Sequence, residues 1–177
     1  PPADHRQLLP RTRGLPGNGQ ISASSLIAVI TDIRASLARS GIEKLVLVNG
    51  HGGNYVLSNI TQQANVDGRH LALFPGRSDW DAARRAAGMP TTGHDDMHGG
   101  ELETSLLLHA RPDLVRDTYS TADHDASDRP HLLVTGMTEY TDNGIIGRPS
   151  LAKATKGKAA LESLAQSFAD HLTALGR

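Results

Sequence analysis

The 177-residue chain contains no cysteine. Disulfides, thiolate zinc sites, iron–sulfur ligation and a thiol nucleophile are excluded, and any metal must be held by His, Asp or Glu. Neither sign of charge dominates. Eighteen Lys and Arg stand against nineteen Asp and Glu, for a net charge of −1. This excludes a nucleic-acid partner held by a basic field, which draws on clustered positive charge. No apolar run approaches the ~18 residues of a membrane span, so no membrane partner is expected. No secretory signal pattern is present either, which makes the cytoplasm the default compartment. A Gly-x-Ser-x-Gly elbow is missing, which argues against a serine hydrolase. Repeats, low-complexity tracts and an interdomain linker are also missing. The expectation is one domain over residues 1–177 with one core. The chain opens on Pro1-Pro2 without a Met, so it is read as less than the whole gene product.

Apolar residues make up 38% of the chain and charged residues 21%, a composition that suits a folded domain. Pro1 to Gly19 carry four Pro and three Gly and read as extended chain and turns. Leu26, Ile27, Ile30, Ile33 and Leu37 have helical spacing, with Ser24 and Ser25 near the N-cap and Gly41 past the end. Lys44 to Val48 is a short, Val-rich apolar run and reads as a buried parallel strand. A helix is expected from Val56 to Ala64, and a second buried strand from Leu71 to Phe74. Strand, helix, strand implies a right-handed crossover and a parallel pair. Further helices are expected over Asp79–Ala87 and Glu101–His109. Residues 132–134 read as a strand, and Tyr119 to Pro130 as a surface loop. A long helix is expected from Ala159 to Leu175, with Leu161, Leu164, Ala165, Phe168, Leu172 and Leu175 as its apolar face.

Two segments can carry chemistry. Asn49-Gly50-His51-Gly52-Gly53-Asn54 follows the first strand directly, where open α/β sheets place their sites. The glycines permit a sharp turn and close approach of a ligand. His51 stands alone among small residues, and Asn49 and Asn54 can bond the loop to itself or orient a ligand. A bland βα turn with an exposed His is the competing reading. A phosphate loop is discounted, because neither a Lys-Ser/Thr ending nor Gly-x-Gly-x-x-Gly spacing is present. The second segment, His94 to Glu103, packs two His, two Asp and two Glu into ten residues. These donors suit Zn²⁺, Mn²⁺ or Fe²⁺. Carboxylates in a first helical turn are also favoured by the helix dipole, so Glu101 and Glu103 have a bland reading as well. Two residues apart, they cannot share one helix face. Together the segments fit a metal hydrolase, in which a metal activates water and a His shuttles a proton to the leaving nitrogen.

Asn49 to Asn54 and His98-Gly99-Gly100-Glu101-Leu102-Glu103-Thr104-Ser105 resemble the two signatures of the creatininase family. Gly144 to Pro149, with Ala154-Thr155 and Lys156-Gly157, is similar to that family's late segment. Leu15-Pro16-Gly17 followed by Ile21-Ser22 is similar to its Pro-Gly-Thr segment, with the Thr altered. The resemblance implies an α/β fold with α/β/α layers around a mostly parallel central sheet. It implies one or two divalent ions (Zn²⁺, Mn²⁺ or Fe²⁺), hydrolysis of a C–N bond in a small, often cyclic amide, and a homo-oligomer, often a hexamer. By position, His51, Glu103 and Glu101 are implied as metal ligands. His98 is implied as the proton-moving His, with Asp96 holding its tautomer. Gly53 stands where other members carry a Glu ligand. Asn54 and Trp80 are candidates for substrate binding, Trp80 by stacking on a flat ring. With six aromatics in the chain, Trp80 reads equally well as core filler.

The family's N-terminal Glu-x-His and following Asp find no match here, since no Glu precedes Glu43 and Asp4 and His5 are adjacent. The expectation is a domain that is incomplete at its N-terminus. A fragment, a processed chain and a truncated member remain open. Two further alternatives stay open: a peptidase of the mycofactocin-maturation type, and a catalytically inactive structural or binding member.

Overall fold

The computed structural model describes residues 21–176. The Pro-rich segment and the Leu15-Pro16-Gly17 motif lie outside the described residues. In chain order the elements are α1 (Ala23–Arg39), β1 (Leu45–Val48), α2 (Val56–Ala64), β2 (Leu71–Phe74), α3 (Arg77–Ala86), α4 (Glu101–Ala110), α5 (Leu132–Thr135) and α6 (Ala154–Gly176). Short 3₁₀ turns fill much of the stretch between α4 and α6. The hydroxyl of Ser22 caps α1 by accepting the Ser25 N–H at 3.1 Å, two residues ahead of the Ser pair expected to do so.

β1 and β2 pair in parallel, with Leu45 opposite Leu71 and Val48 opposite Phe74. Side chains alternate across a strand, and the alternation sorts the core into two layers. Leu45, Leu47, Leu71 and Leu73 face one way and pack with Ile30, Leu57, Ile60 and Ala64 of α1 and α2. Val46 and Phe74 face the other way and pack with Ala83, Leu102, Ala160 and Leu164 of α3, α4 and α6. Helices therefore cover both faces of the sheet, an α/β fold of three layers. The expected buried character of β1 needs correction. Its residues are half-buried and Val48 is 71% exposed, because β2 is its one partner among the described residues.

Two further expectations fail for identifiable reasons. Residues 132–134, read as a strand, form the helical turn α5, in which Val134 and Thr135 donate to the His131 carbonyl. The long helix begins five residues earlier than expected, and its buried face runs through Gly157, Ala160, Leu164 and Leu175. Leu161 and Leu172 point outward, 40% and 48% exposed. Small residues define this face because α6 meets α4 backbone to backbone. A Cβ at Gly157 would overlap the Ser105 carbonyl oxygen. Among the described residues, no helix is long and apolar enough to cross a membrane.

Candidate functional site

The loop that carries His51 springs from the C-terminal end of β1. The Asn49 N–H donates to the Phe74 carbonyl at 2.7 Å, which extends the sheet by one rung. The Asn49 side-chain oxygen then accepts from the His51 N–H at 3.3 Å and the Asn54 side-chain amide at 2.9 Å. Asn49 and Asn54 thus hold the turn to itself, and His51 is half-buried within it. Asn54, a candidate for substrate binding, spends one amide hydrogen on this internal bond.

His98 lies on a second, well-braced loop. Its backbone exchanges two hydrogen bonds with Ile146, at 3.0 and 2.9 Å. Its Nδ1 lies 2.6 Å from the Gly144 carbonyl oxygen. A carbonyl oxygen can only accept, so Nδ1 carries the hydrogen and Nε2 of the neutral ring is the acceptor. Gly99, at φ 62°, turns the chain directly after His98. Its N–H donates to the Glu103 carboxylate, which is exposed. His98 and Glu103 therefore belong to one turn, at the entrance to α4.

Asp96 was expected to hold the His98 tautomer, and the geometry corrects this. Its Oδ1 accepts from the Glu101 N–H at 2.6 Å and the Arg148 N–H at 3.0 Å. Its Oδ2 accepts from the Leu102 N–H at 3.1 Å and Arg84 Nη1 at 3.0 Å. Four donors fill the four lone-pair positions of a carboxylate, so none is left for His98. The Gly144 carbonyl does that work. Asp96 instead caps α4, whose first amides would otherwise lack partners.

Glu101 is also reassigned. It is completely buried, with Lys156 donating to Oε1 and the Thr91 hydroxyl donating to Oε2 at 2.7 Å. A carboxylate committed to a half-buried ammonium group and a hydroxyl serves the α4–α6 junction rather than a metal. Trp80 packs half-buried against the Phe74–Leu164 core. Among the described residues, no group of three or more His, Asp or Glu side chains gathers as a metal ligand set. The expected trio of His51, Glu101 and Glu103 is not brought together.

Several residues that matter were not singled out by sequence reasoning. Arg84 is buried and donates to Asp96 and the Thr91 hydroxyl. The signal was available, because Arg84 shares a helical stripe with Trp80 and Ala87. Gly144 acts through its carbonyl, which no side-chain pattern reveals. His171 Nε2 lies 2.9 Å from Asp79 Oδ2. His124, in a stretch expected to be plain surface loop, bridges to Gly147 and places Nε2 2.6 Å from the Tyr140 carbonyl. A cleft of about 570 Å³ opens beside it, lined in part by Asp95, His124, Asp125, Ser127 and Arg148. There the Ser127 hydroxyl and amide hold the Asp125 carboxyl below its ordinary value. His51, His98 and Glu103 do not line this cleft.

A family model described as creatinine amidohydrolase matches residues 7–172. The mycofactocin precursor peptide peptidase of Mycobacterium ulcerans (strain Agy99) is 32% identical over 146 residues, covering 80% of this chain and 52% of that protein. Creatinine amidohydrolase of Pseudomonas putida is 30% identical over 175 residues, covering 88% of this chain and 64% of that protein. The chain thus spans about half to two thirds of the length of these relatives. The crystal structure of creatinine amidohydrolase superposes with a TM-score of 0.72 at 26% identity, over 94% of this chain and 70% of that one. A creatininase variant of the Zn–Zn type superposes with a TM-score of 0.69 at 26% identity, over 89% and 66%.

Proposed function

The chain belongs to the creatininase family, and from that premise we propose that it serves a metal-dependent amidohydrolase that cleaves a C–N amide bond in a small substrate. The observation that carries the reading is His98, whose Nδ1–H is tied to the Gly144 carbonyl so that Nε2 is the basic atom. Hydrolysis adds water to the carbonyl carbon, breaks the C–N bond and delivers a proton to the departing nitrogen. In this reading His98 Nε2 receives a proton from water and passes it to that nitrogen. Gly50, whose missing side chain faces open space, leaves the approach to the His51 loop uncluttered.

A divalent ion, when bound, supplies polarisation of the carbonyl and a more acidic water. His51 and Glu103 are the remaining candidate ligands among the described residues, and two donors fall short of the three usual at a catalytic zinc. The described residues alone do not fit a complete metal site, so no step is derived through the ion. The reading places the rest of the ligand set outside the described residues, with assembly as a homo-oligomer as the family resemblance implies.

The test is metal content and hydrolysis in one preparation, after equilibration with Zn²⁺ or Mn²⁺. One or two ions per chain are expected, with release of amine from a cyclic amide and loss of turnover in a chelator. His51→Ala is expected to lower bound metal while leaving the circular dichroism spectrum unchanged, since a loop His contributes little packing. Absence of both metal and hydrolysis would favour the inactive structural member. A second reading, peptide trimming, is favoured by the 32% identity to the mycofactocin precursor peptide peptidase. Cleavage of a short peptide in place of the cyclic amide would select it.

A further inference from the structure

We propose that Asp96 is a positioning residue that sets the separation of His98 and Glu103 through the main chain; the kinetic part of this inference rests on the amidohydrolase reading. One carboxylate ties together two backbone segments that come from distant parts of the chain. Through the Glu101 and Leu102 amides it anchors the first turn of α4, which carries Glu103. Through the Arg148 amide it anchors the Ile146–Arg148 segment. That segment in turn exchanges two hydrogen bonds with His98 and begins two residues after Gly144, whose carbonyl holds the imidazole.

Two independent features show that the molecule is built around this carboxylate. Arg84 fixes it from the far side with a double contact, Nη1 to Oδ2 and Nη2 to the Asp96 carbonyl, each at 3.0 Å. The two side chains are 8% and 1% exposed. The space it occupies is also kept clear. A Cβ at Gly100 or at Gly147 would overlap Asp96 Oδ1, so both glycines leave room for the same atom. The second Gly of His98-Gly99-Gly100 and the Gly ahead of Arg148-Pro149 therefore share one constraint, to which the φ of 153° at Gly147 adds a second. Asp96 touches neither His98 nor Glu103 by any bond described above, yet both groups hang from backbone that it clamps. A displacement of about 1 Å in such a pair can cost on the order of 10²-fold in rate.

Asp96→Asn retains the shape but turns one acceptor oxygen into a donor that faces N–H groups. The expected result is a folded protein with kcat reduced about 10²-fold and KM little changed. In the NMR spectrum, the Nδ1 proton of His98 is expected to broaden as the Gly144 contact loosens. Ile60→Ala, in the opposite core layer, serves as a control that lowers the melting temperature without touching this clamp. A folded Asp96→Asn protein with wild-type kcat and a sharp His98 proton would overturn the proposal. So would an Ile60→Ala protein that loses as much kcat for the same loss in melting temperature. If Asp96→Asn does not fold, Arg84→Gln carries the test, because it removes the two contacts that hold the Asp96 carboxylate and carbonyl in place against the three amides. It is expected to broaden the His98 proton and lower kcat, and an unchanged signal and rate would overturn the proposal. The NMR readout needs no substrate. A wild-type protein that hydrolyses nothing would therefore sink the amidohydrolase reading while leaving the positioning of His98 still decidable.

Discussion

Replacing His98 by alanine is expected to lower kcat by about 10²–10⁴-fold, the usual worth of a placed proton-transfer group. The fold should survive, because the backbone of residue 98 keeps both of its bonds to Ile146. The side chain contributes one hydrogen bond to a carbonyl, worth about 0.5–1.5 kcal/mol net. The loss should therefore fall on the chemical step and not on the population of folded protein. Steady-state kinetics with matched circular dichroism spectra checks this. His98→Gln should not rescue the rate, since an amide can hydrogen-bond but cannot exchange a proton near neutral pH. A His98→Ala protein with undiminished kcat would move the proton transfer to another group.

The second large effect is on stability. Lys156→Met is expected to destabilise the protein by about 3–5 kcal/mol, the cost of leaving a buried charge without its partner. Glu101 is fully buried, and its neutralising cation comes from α6, across the junction with α4. Thr91 would remain as a donor, but a hydroxyl does not offset a full charge. A loss of this size is a large share of the roughly 5–15 kcal/mol available to a domain. The double replacement Glu101→Leu with Lys156→Met should recover much of it, because buried ion pairs exchanged for apolar groups are often close to neutral. Urea unfolding of the two single variants and the double variant gives the coupling directly. A single-variant loss below about 1 kcal/mol, the range of an exposed pair, would show that Glu101 finds other compensation.

Much of this architecture was legible from short patterns. Leu71 to Phe74 announces a strand because four consecutive apolar residues end at Pro75-Gly76, and the strand has those bounds. The argument that Glu101 and Glu103 must face different ways rests on helix geometry alone. It describes the structure, with Glu101 buried against Lys156 and Glu103 exposed at the turn. What escaped was whatever depends on a partner far along the chain. Of the face expected for α6, Leu164 and Leu175 are buried, but Leu161 and Leu172 are exposed and close approach to α4 adds Gly157 and Ala160. Arg84 sits beside Arg85 in the sequence, and its partner Asp96 is twelve residues away across a turn. A backbone carbonyl such as that of Gly144 has no residue-type signature. The motif residues were found readily, but the roles of Asp96 and Glu101 depended on which donors surround them.

The two-sided core has a consequence for how the molecule opens. On the α3–α4–α6 side, helices interlock closely and are crossed by buried ion pairs. On the other side, α1 buries a single residue, Ile30, while Ile27, Val29 and Ile33 remain about half exposed. Local stability follows buried contact, so the two layers should not open together. Amide hydrogens of α1 are expected to exchange with deuterium through small, frequent excursions. Those of α4 and the central turns of α6 should wait for an opening close to global. The loop that bears His51 connects β1 to α2, on the looser layer, whereas His98 hangs from the tighter one. The two histidines of the signature motifs would then keep different time, one riding on a layer that breathes and the other on a layer that holds still.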